Sequence, residues 1–381
     1  MSLFRWFLDL TRHLLRSIDP ILMAALFGLM IVGLVTQHSA GDGTMRPVIA
    51  QGARYVIGFG IMWVLSRVSP AAMRNFAPHA FVASLIPLVL VLLIGQGRHG
   101  NLWLNLGIFY FQPAELLKIT LPMIVAWYLN QQALPPKFPV VIRAAILIGI
   151  PVLLILRQPD FGTAMLVAIS GAFVLYLAGL SWWYFGAAFA GVAAIAPVAW
   201  FFLLRPYQKD RILTFFNPEN DPQGAGWNII QSKIAIGSGG FTGKGFGLGT
   251  QSHLNYIPEH TTDFAFAVFS EEWGWIGVAV VFALYAIVVL RCLWIAMNSK
   301  DGWGRMVAGA LGLAFCTYVI VNGGMISNLL PVVGVPMPLL SYGGTSAVSL
   351  LTGMGIVMSV GYYRNSKVRN EFFVQKLMKN P

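Results

Sequence analysis

Charge is scarce in this sequence. Only 10% of its 381 residues are charged, while 57% are hydrophobic; a soluble domain carries roughly 25% charged residues. So few charges cannot clothe a water-exposed surface, which excludes an ordinary soluble enzyme. Cysteine is nearly missing. Cys292 and Cys316 lie in separate apolar runs, so neither a disulfide nor a cysteine metal site is read from them. No internal repeat and no low-complexity tail stand out. No cleavable signal peptide is evident either, because the first apolar run, from Pro20 to about Thr36, is long enough to span and lacks a clear small-x-small cleavage site. Acidic residues are the scarcer sign, 14 against 25 basic ones, for a net charge of +11. In a soluble protein that excess would raise nucleic-acid binding. Here it is read as membrane topology, with no nucleic-acid partner.

What is present is apolar runs long enough to cross a bilayer, which takes about 20 residues of helix. They predict an all-α integral membrane protein of about ten transmembrane helices, near 20–38, 48–66, 77–95, 113–130, 139–157, 162–179, 182–204, 264–291, 305–326 and 343–363. Packed side by side these form a single domain over 1–381. Residues 1–19 mix Phe4, Trp6, Phe7, Leu14 and Leu15 with Arg5, Arg12 and Arg16, the pattern of a basic amphipathic helix lying on the membrane surface. An even number of spans puts both ends on one side. With both ends inside, the inner side holds 15 of the 25 basic residues, including those of a basic cytoplasmic tail at 364–381. Five of the rest fall in one long extracytoplasmic loop, 205–262, where the charge rule has little force.

That loop contains the turn signals Asn217-Pro218 and Asp221-Pro222, then GSGGFTGKGFGLG from Gly237 to Gly249. The glycine stretch invites a phosphate-loop reading and fails it. Ser238 stands where the first glycine should be, and Gly245 follows Lys244 where Ser or Thr should stand. A tight loop packed on the membrane surface suits it better, with Lys244 able to meet an anionic lipid headgroup.

Charged residues inside spans are functional hypotheses by default. In FQPAELLKI, Glu115 and Lys118 are three apart and share a helix face at the outer end of the fourth span. They are either a neutralised structural pair or a device that holds Lys118 beside an anionic substrate. Asp160, opening the sixth span, suits a helix cap. Asp263 follows Thr261 and Thr262 at the outer mouth of the eighth span. Thr262 could cap that helix, which leaves Asp263 available as a base; a helix-dipole role is the plain alternative. Glu271 and Glu272 lie two turns deeper and need polar partners. His260 could carry a proton, though a loop histidine seldom does. In the last outer segment, Pro331, Pro336 and Pro338 forbid a regular helix, and Ser341, Gly343, Gly344, Thr345 and Ser346 start the tenth span with little bulk.

Together these segments resemble the SEDS family of bacterial cell-wall glycosyltransferases. The carrying stretches are FQPAELLK at 111–118, RQPDFGTA at 157–164, the loop from Lys209-Asp210-Arg211 to Gln251, Asp263 with Glu271-Glu272, and LLPVVGVPMPLLSYGGTS at 329–346. The last is the most specific. Its form is similar to the elongation branch of the family; the division branch usually carries something closer to KGLTLP before the proline. The resemblance implies an enzyme of cell elongation and rod shape that polymerises lipid II, the undecaprenyl-linked peptidoglycan precursor, in the bacterial inner membrane. It implies Asp263 as the essential catalytic residue. Beside it, Glu115, Lys118, Asp160, Lys209, Arg211, Lys244, Ser341 and Ser346 are expected to bind the substrate. It implies a class B penicillin-binding protein of the penicillin-binding protein 2 type as partner, beside other elongation proteins such as MreC and MreD.

The residues fit that chemistry. A pyrophosphate leaves readily and needs cations more than an acid, while the attacking sugar hydroxyl needs one base. A single displacement inverts the anomeric centre. A divalent cation, Mg2+ or Mn2+, stays open as a cofactor, with no clear ligand set. The competing reading is a lipid II flippase whose buried charges line a path; a scaffold that only recruits partners would leave the outer carboxylates without a task.

Overall fold

Side-chain caps at Asp19, Ser69, Asp160, Ser181 and Asp301 mark where five of the helices start. The structure, a computed structural model, describes residues 16–96, 102–105, 107, 110–204, 206–220, 225–250 and 261–379. The expected interfacial helix falls mostly in residues 1–15, and His260 in 251–260, both outside the described residues. Helix α1 (Pro20–Ala40) starts where the Asp19 carboxylate accepts from the Leu22 amide at 3.0 Å, with Pro20 in its first turn. It is followed by α2 (Met45–Leu65) and α3 (Pro70–Ile94). Ser69 caps α3, so that helix begins well ahead of the apolar run expected at 77–95. A two-residue hairpin, Leu104–Asn105 with Tyr110–Phe111, leads into α4 (Ala114–Leu129). Then come α5 (Phe138–Arg157), α6 (Phe161–Leu177) and α7 (Trp182–Val198), extended by a π-helical turn at Ala199–Leu203.

The segment read as a long loop is partly helical. It holds α8 (Pro206–Phe216) and α9 (Ala225–Ser238), short helices whose lengths and mixed polarity gave no span signal. The bundle closes with α10 (Ala265–Met297), α11 (Gly302–Ile326) and α12 (Ser346–Lys379).

All ten expected spans are helices. Eight of them are long and apolar enough to cross a membrane. The exceptions are α4 and α6, of 16 and 17 residues. Both lie inside: α4 packs on α3, α5, α6 and α11, and most of its residues are buried. A helix apolar on every side belongs in such a position. By contrast α7 buries none of its residues against the rest of the protein.

Because consecutive helices alternate in direction, the start of α2, α4, α6, α10 and α12 shares one end of the bundle with the finish of α1 and α11. At the opposite end, Arg291 clasps Asp19 through Nε and Nη2, at 2.7–3.1 Å, and Arg74 pairs with Asp301 at 3.4 Å.

Helix α10 is broken at Gly274 (φ 61, ψ −161). The glycine-rich stretch docks into the break. Lys244 and Gly245 amides donate to the carbonyls of Glu271 and Glu272, each at 3.0 Å, and Trp275 and Ile276 amides donate back to Gly240 and Phe241. A side chain at Gly243 would collide with the Glu272 carbonyl, so the close approach demands glycine there.

Candidate active site

The segment 329–345, between α11 and α12, carries prolines and has no regular ladder, so its carbonyls must find partners elsewhere. They find side chains on the surrounding helices. Gln37 Nε2 of α1 donates to the Leu340 carbonyl (3.1 Å) and to that of Thr261 (3.0 Å). Tyr55 Oη of α2 donates to Leu339 (2.6 Å), and Tyr285 Oη of α10 to Pro338 (2.7 Å). Asn322 Nδ2 of α11 donates to Val335 (2.7 Å). Within the segment, Ser341 is buried and its hydroxyl accepts from the Met337 amide (3.0 Å).

Gly33 of α1 lets the Leu339 carbonyl and the Tyr55 hydroxyl come against the helix; a Cβ there would overlap the carbonyl and sit 2.7 Å from the hydroxyl. Gly33→Ala is therefore expected to cost roughly 1–3 kcal/mol, the usual range for overpacking. A lower unfolding temperature in detergent would show it; an unchanged one would mean the segment is not held as described.

Asp263 is drawn into this arrangement. The Tyr342 amide donates to the Thr261 carbonyl at 2.9 Å, and Asn322 Nδ2 donates to the Asp263 carbonyl at 2.8 Å. Gly334 faces the carboxylate: a Cβ there would lie 3.4 Å from Asp263 Oδ2. The residue is half-buried, in the turn before α10. The expected cap is corrected. Helix α10 starts at Ala265 with Phe264 in the cap position and no side-chain cap, and the Thr262 carbonyl accepts from the Ala265 amide, because the 261–264 turn comes first.

Glu115 and Lys118 are also at this end, on α4. Their side chains meet at 2.6 Å and are 5% and 11% exposed, so the pair is a buried one. The second Glu115 oxygen accepts from Ser349 Oγ of α12 at 2.6 Å, and Lys118 Nζ stands 4.9 Å from the Tyr318 ring of α11. Glu115, Lys118, Tyr318, Ser341 and Ser346 line one cavity together with 336–339. It leaves about 10 Å³ for the centre of a water-sized molecule, room for roughly one water. A second cavity at Lys118, walled by Ser170, Phe315 and Met354, leaves about 30 Å³, so a pyrophosphate reaches Lys118 by neither cavity unless its walls move.

Asp160 caps α6, accepting from the Thr163 amide at 3.0 Å, and its other oxygen accepts from Gln112 at 3.1 Å, which ties α6 to the approach to α4. The remaining cations lie elsewhere. Lys244 pairs with the fully buried Glu271 at 2.6 Å and reaches Thr250 at 2.8 Å. Glu272 takes the Gly247 amide at 3.2 Å and the Ser39 hydroxyl. The carboxylates at membrane depth thus have the polar partners they require, and the glycine-rich stretch supplies several of them. Lys209 and Arg211 are on α8, which touches α9 and the 218–220 turn; Lys209 Nζ stands 5.9 Å from the Trp200 ring, and Arg211 is exposed.

Among the described residues, no three His, Cys, Asp or Glu side chains gather closely enough to hold a metal ion. Tyr318, Ser349, Asn322, Gln37 and Tyr55 escaped the sequence reading. No local pattern marks any of them, and only the tertiary contacts reveal their tasks.

A bundle of membrane-spanning helices with a half-buried carboxylate and a buried cation at one end defines a multi-pass membrane protein with a polar site built from helix ends. The family can be stated from similarity across about nine-tenths of the chain. The model of the FtsW, RodA and SpoVE family, described as "Cell cycle protein", matches residues 15–366, and the chain belongs to that family. It is 44% identical over 348 residues to the peptidoglycan glycosyltransferase MrdB of Escherichia coli (strain K12), covering 91% of this chain and 94% of that one. It is 35% identical to the probable peptidoglycan glycosyltransferase FtsW of Halorhodospira halophila, covering 91% and 90%. The fold matches a chain in a peptidoglycan synthase complex described as coordinating polymerization and crosslinking, with a TM-score of 0.81 at 28% identity, over 91% of this chain and 98% of the other. It also matches the rod shape determining protein RodA of Thermus thermophilus, with a TM-score of 0.69 at 27% identity, over 91% and 97%.

Proposed function

We infer that this chain is a peptidoglycan glycosyltransferase of cell elongation that polymerises lipid II, with Asp263 as its base. One observation carries the mechanistic reading: Asp263 and Lys118 are brought to the same end of the bundle, both bordered by the 329–345 segment. In the proposed step, Asp263 takes the proton of the acceptor sugar hydroxyl as that oxygen bonds to the donor's anomeric carbon. The bond from that carbon to the pyrophosphate oxygen breaks, and undecaprenyl pyrophosphate leaves. Attack opposite the leaving group converts an α-linked donor into a β-linked glycan. Cations are what the departing pyrophosphate needs, and Lys118 is the candidate nearest the segment, with Lys209 and Arg211 on α8 as further ones.

The same reading places both chain ends on the cytoplasmic side of the inner membrane. The sequence count of basic residues favours this, and the site then faces outward, where a finished precursor waits. Crosslinking falls to a class B penicillin-binding protein; the solved complex that couples polymerization with crosslinking supports such a partner. MreC and MreD belong to the same proposed assembly.

The test separates polymerase from flippase. Purified protein, alone and with its penicillin-binding partner, is expected to make glycan from lipid II in detergent micelles, where no two leaflets exist. Failure there, joined with Asp263-dependent movement of lipid II across sealed vesicles, would establish transport instead.

A further inference from the structure

Asn322 has zero exposure near the end of α11, in a helix that is otherwise mostly apolar. A buried carboxamide is unfavourable unless its groups are paired. Its nitrogen is paired twice, donating to the carbonyl of Asp263 at 2.8 Å and to that of Val335 at 2.7 Å. Its oxygen Oδ1 is buried with no protein partner. Turning the amide over would face that oxygen toward two carbonyl oxygens, so the pair of acceptors fixes its orientation. The residue therefore serves as a double donor, and the orphaned acceptor is a cost the fold carries.

The two carbonyls belong to the two walls of the site. One is the backbone from which the Asp263 carboxylate hangs. The other is next to Gly334, whose Cβ would lie 3.4 Å from Asp263 Oδ2. One helical turn earlier, Tyr318 stands over Lys118 at 4.9 Å. Positions four apart on a helix are about 5–6 Å apart at their Cβ atoms, so α11 sets the spacing between the cation's support and the base's support.

We propose that Asn322 is a positioning residue: it joins the Asp263 backbone to the 333–336 wall and so aims the carboxylate at the acceptor hydroxyl. The proposal rests on Asp263 being the base. It predicts a loss in the chemical step, because misplacing a reacting group by about 1 Å costs on the order of 100-fold.

The experiment measures kcat and KM for lipid II polymerisation by the purified protein with its partner in micelles. Four variants are compared: Asn322→Leu, Asn322→Gln, Tyr285→Phe and Asp263→Ala. Tyr285 holds Pro338 of the same segment through its hydroxyl, so Tyr285→Phe reports loosening of the segment by loss of a different bond. Asn322→Leu should lower kcat roughly 30- to 100-fold with KM within about threefold, while Tyr285→Phe lowers kcat less than about threefold at a similar loss of unfolding temperature. If Asn322→Leu does not fold, Asn322→Gln replaces it; its donors sit on a longer stem, so kcat should fall by an intermediate factor of roughly tenfold. A kcat for Asn322→Leu that matches Tyr285→Phe, an unchanged kcat for Asn322→Gln, or a loss carried by KM would overturn the proposal. Asp263→Ala tells the two ideas apart. If it still polymerises, the base reading and this proposal fall together; if it is inactive and Asn322→Leu behaves like Tyr285→Phe, only the positioning role falls.

Discussion

Asp263→Ala is expected to abolish glycan synthesis while leaving the protein folded and able to bind its partner. The main-chain bonds that hold this turn come from Asn322 to the Asp263 carbonyl and from Gln37 and Tyr342 to Thr261, and none uses the Asp263 side chain. Removing the carboxylate therefore leaves those bonds in place. What disappears is the acceptor's proton sink, and loss of a general base costs roughly 10²- to 10⁴-fold. Asp263→Asn sharpens the test, because the amide keeps shape and polarity and cannot take the proton. Polymer would be followed on a gel, with thermal unfolding and co-purification of the penicillin-binding protein as controls. Near wild-type polymer from a folded Asp263→Asn protein would remove this residue from the mechanism.

The second large effect is expected at Lys118. Its ammonium is buried against Glu115, Ser349 completes the carboxylate's shell, and Tyr318 covers the other side. Lys118→Met should reduce polymerisation by roughly 100-fold or more, the scale seen when one preorganised donor to developing charge is removed. Lys118→Arg, which keeps the charge, should lose much less. Breaking a buried pair also leaves an uncompensated carboxylate, at about 3–5 kcal/mol, so instability could imitate a catalytic defect. The double variant Glu115→Gln/Lys118→Met resolves this, since it removes both charges together. If the neutral pair restores both stability and polymerisation, the ion pair is structural. If it restores stability alone, a cation is needed at 118. Glu115→Gln by itself should act mainly on stability.

Much of this was legible in the sequence, for identifiable reasons. The ten helices follow from apolar runs, since span length is fixed by the bilayer. The irregular 329–345 segment follows from its three prolines, and the Glu115–Lys118 contact from a spacing of three on one helix. Start points were misplaced where a cap outside the apolar run begins the helix, as Ser69 and Asp301 do. Helices α8 and α9 hid in a stretch rich in Pro, Gly and polar residues. The partners of Glu271 and Glu272 were demanded by burial, but nothing local named Lys244, Ser39 or Gly247, which meet them only after the glycine-rich stretch enters the break at Gly274. Asn322 was the hardest to see, because a single amide in a mostly apolar helix has no periodic signal.

The 329–345 segment has no ladder of its own and depends on donors far away in the chain. Its Leu340 carbonyl is bonded by a residue 303 positions distant and its Leu339 carbonyl by one 284 positions distant. Helices can form individually on entering a bilayer and associate afterwards, and contacts so remote in sequence must wait for that association. The order of assembly follows. Helices α1, α2, α10 and α11 have to meet before the wall beside Asp263 can take its shape, so a full-length but partly assembled chain carries every site residue and still has no site.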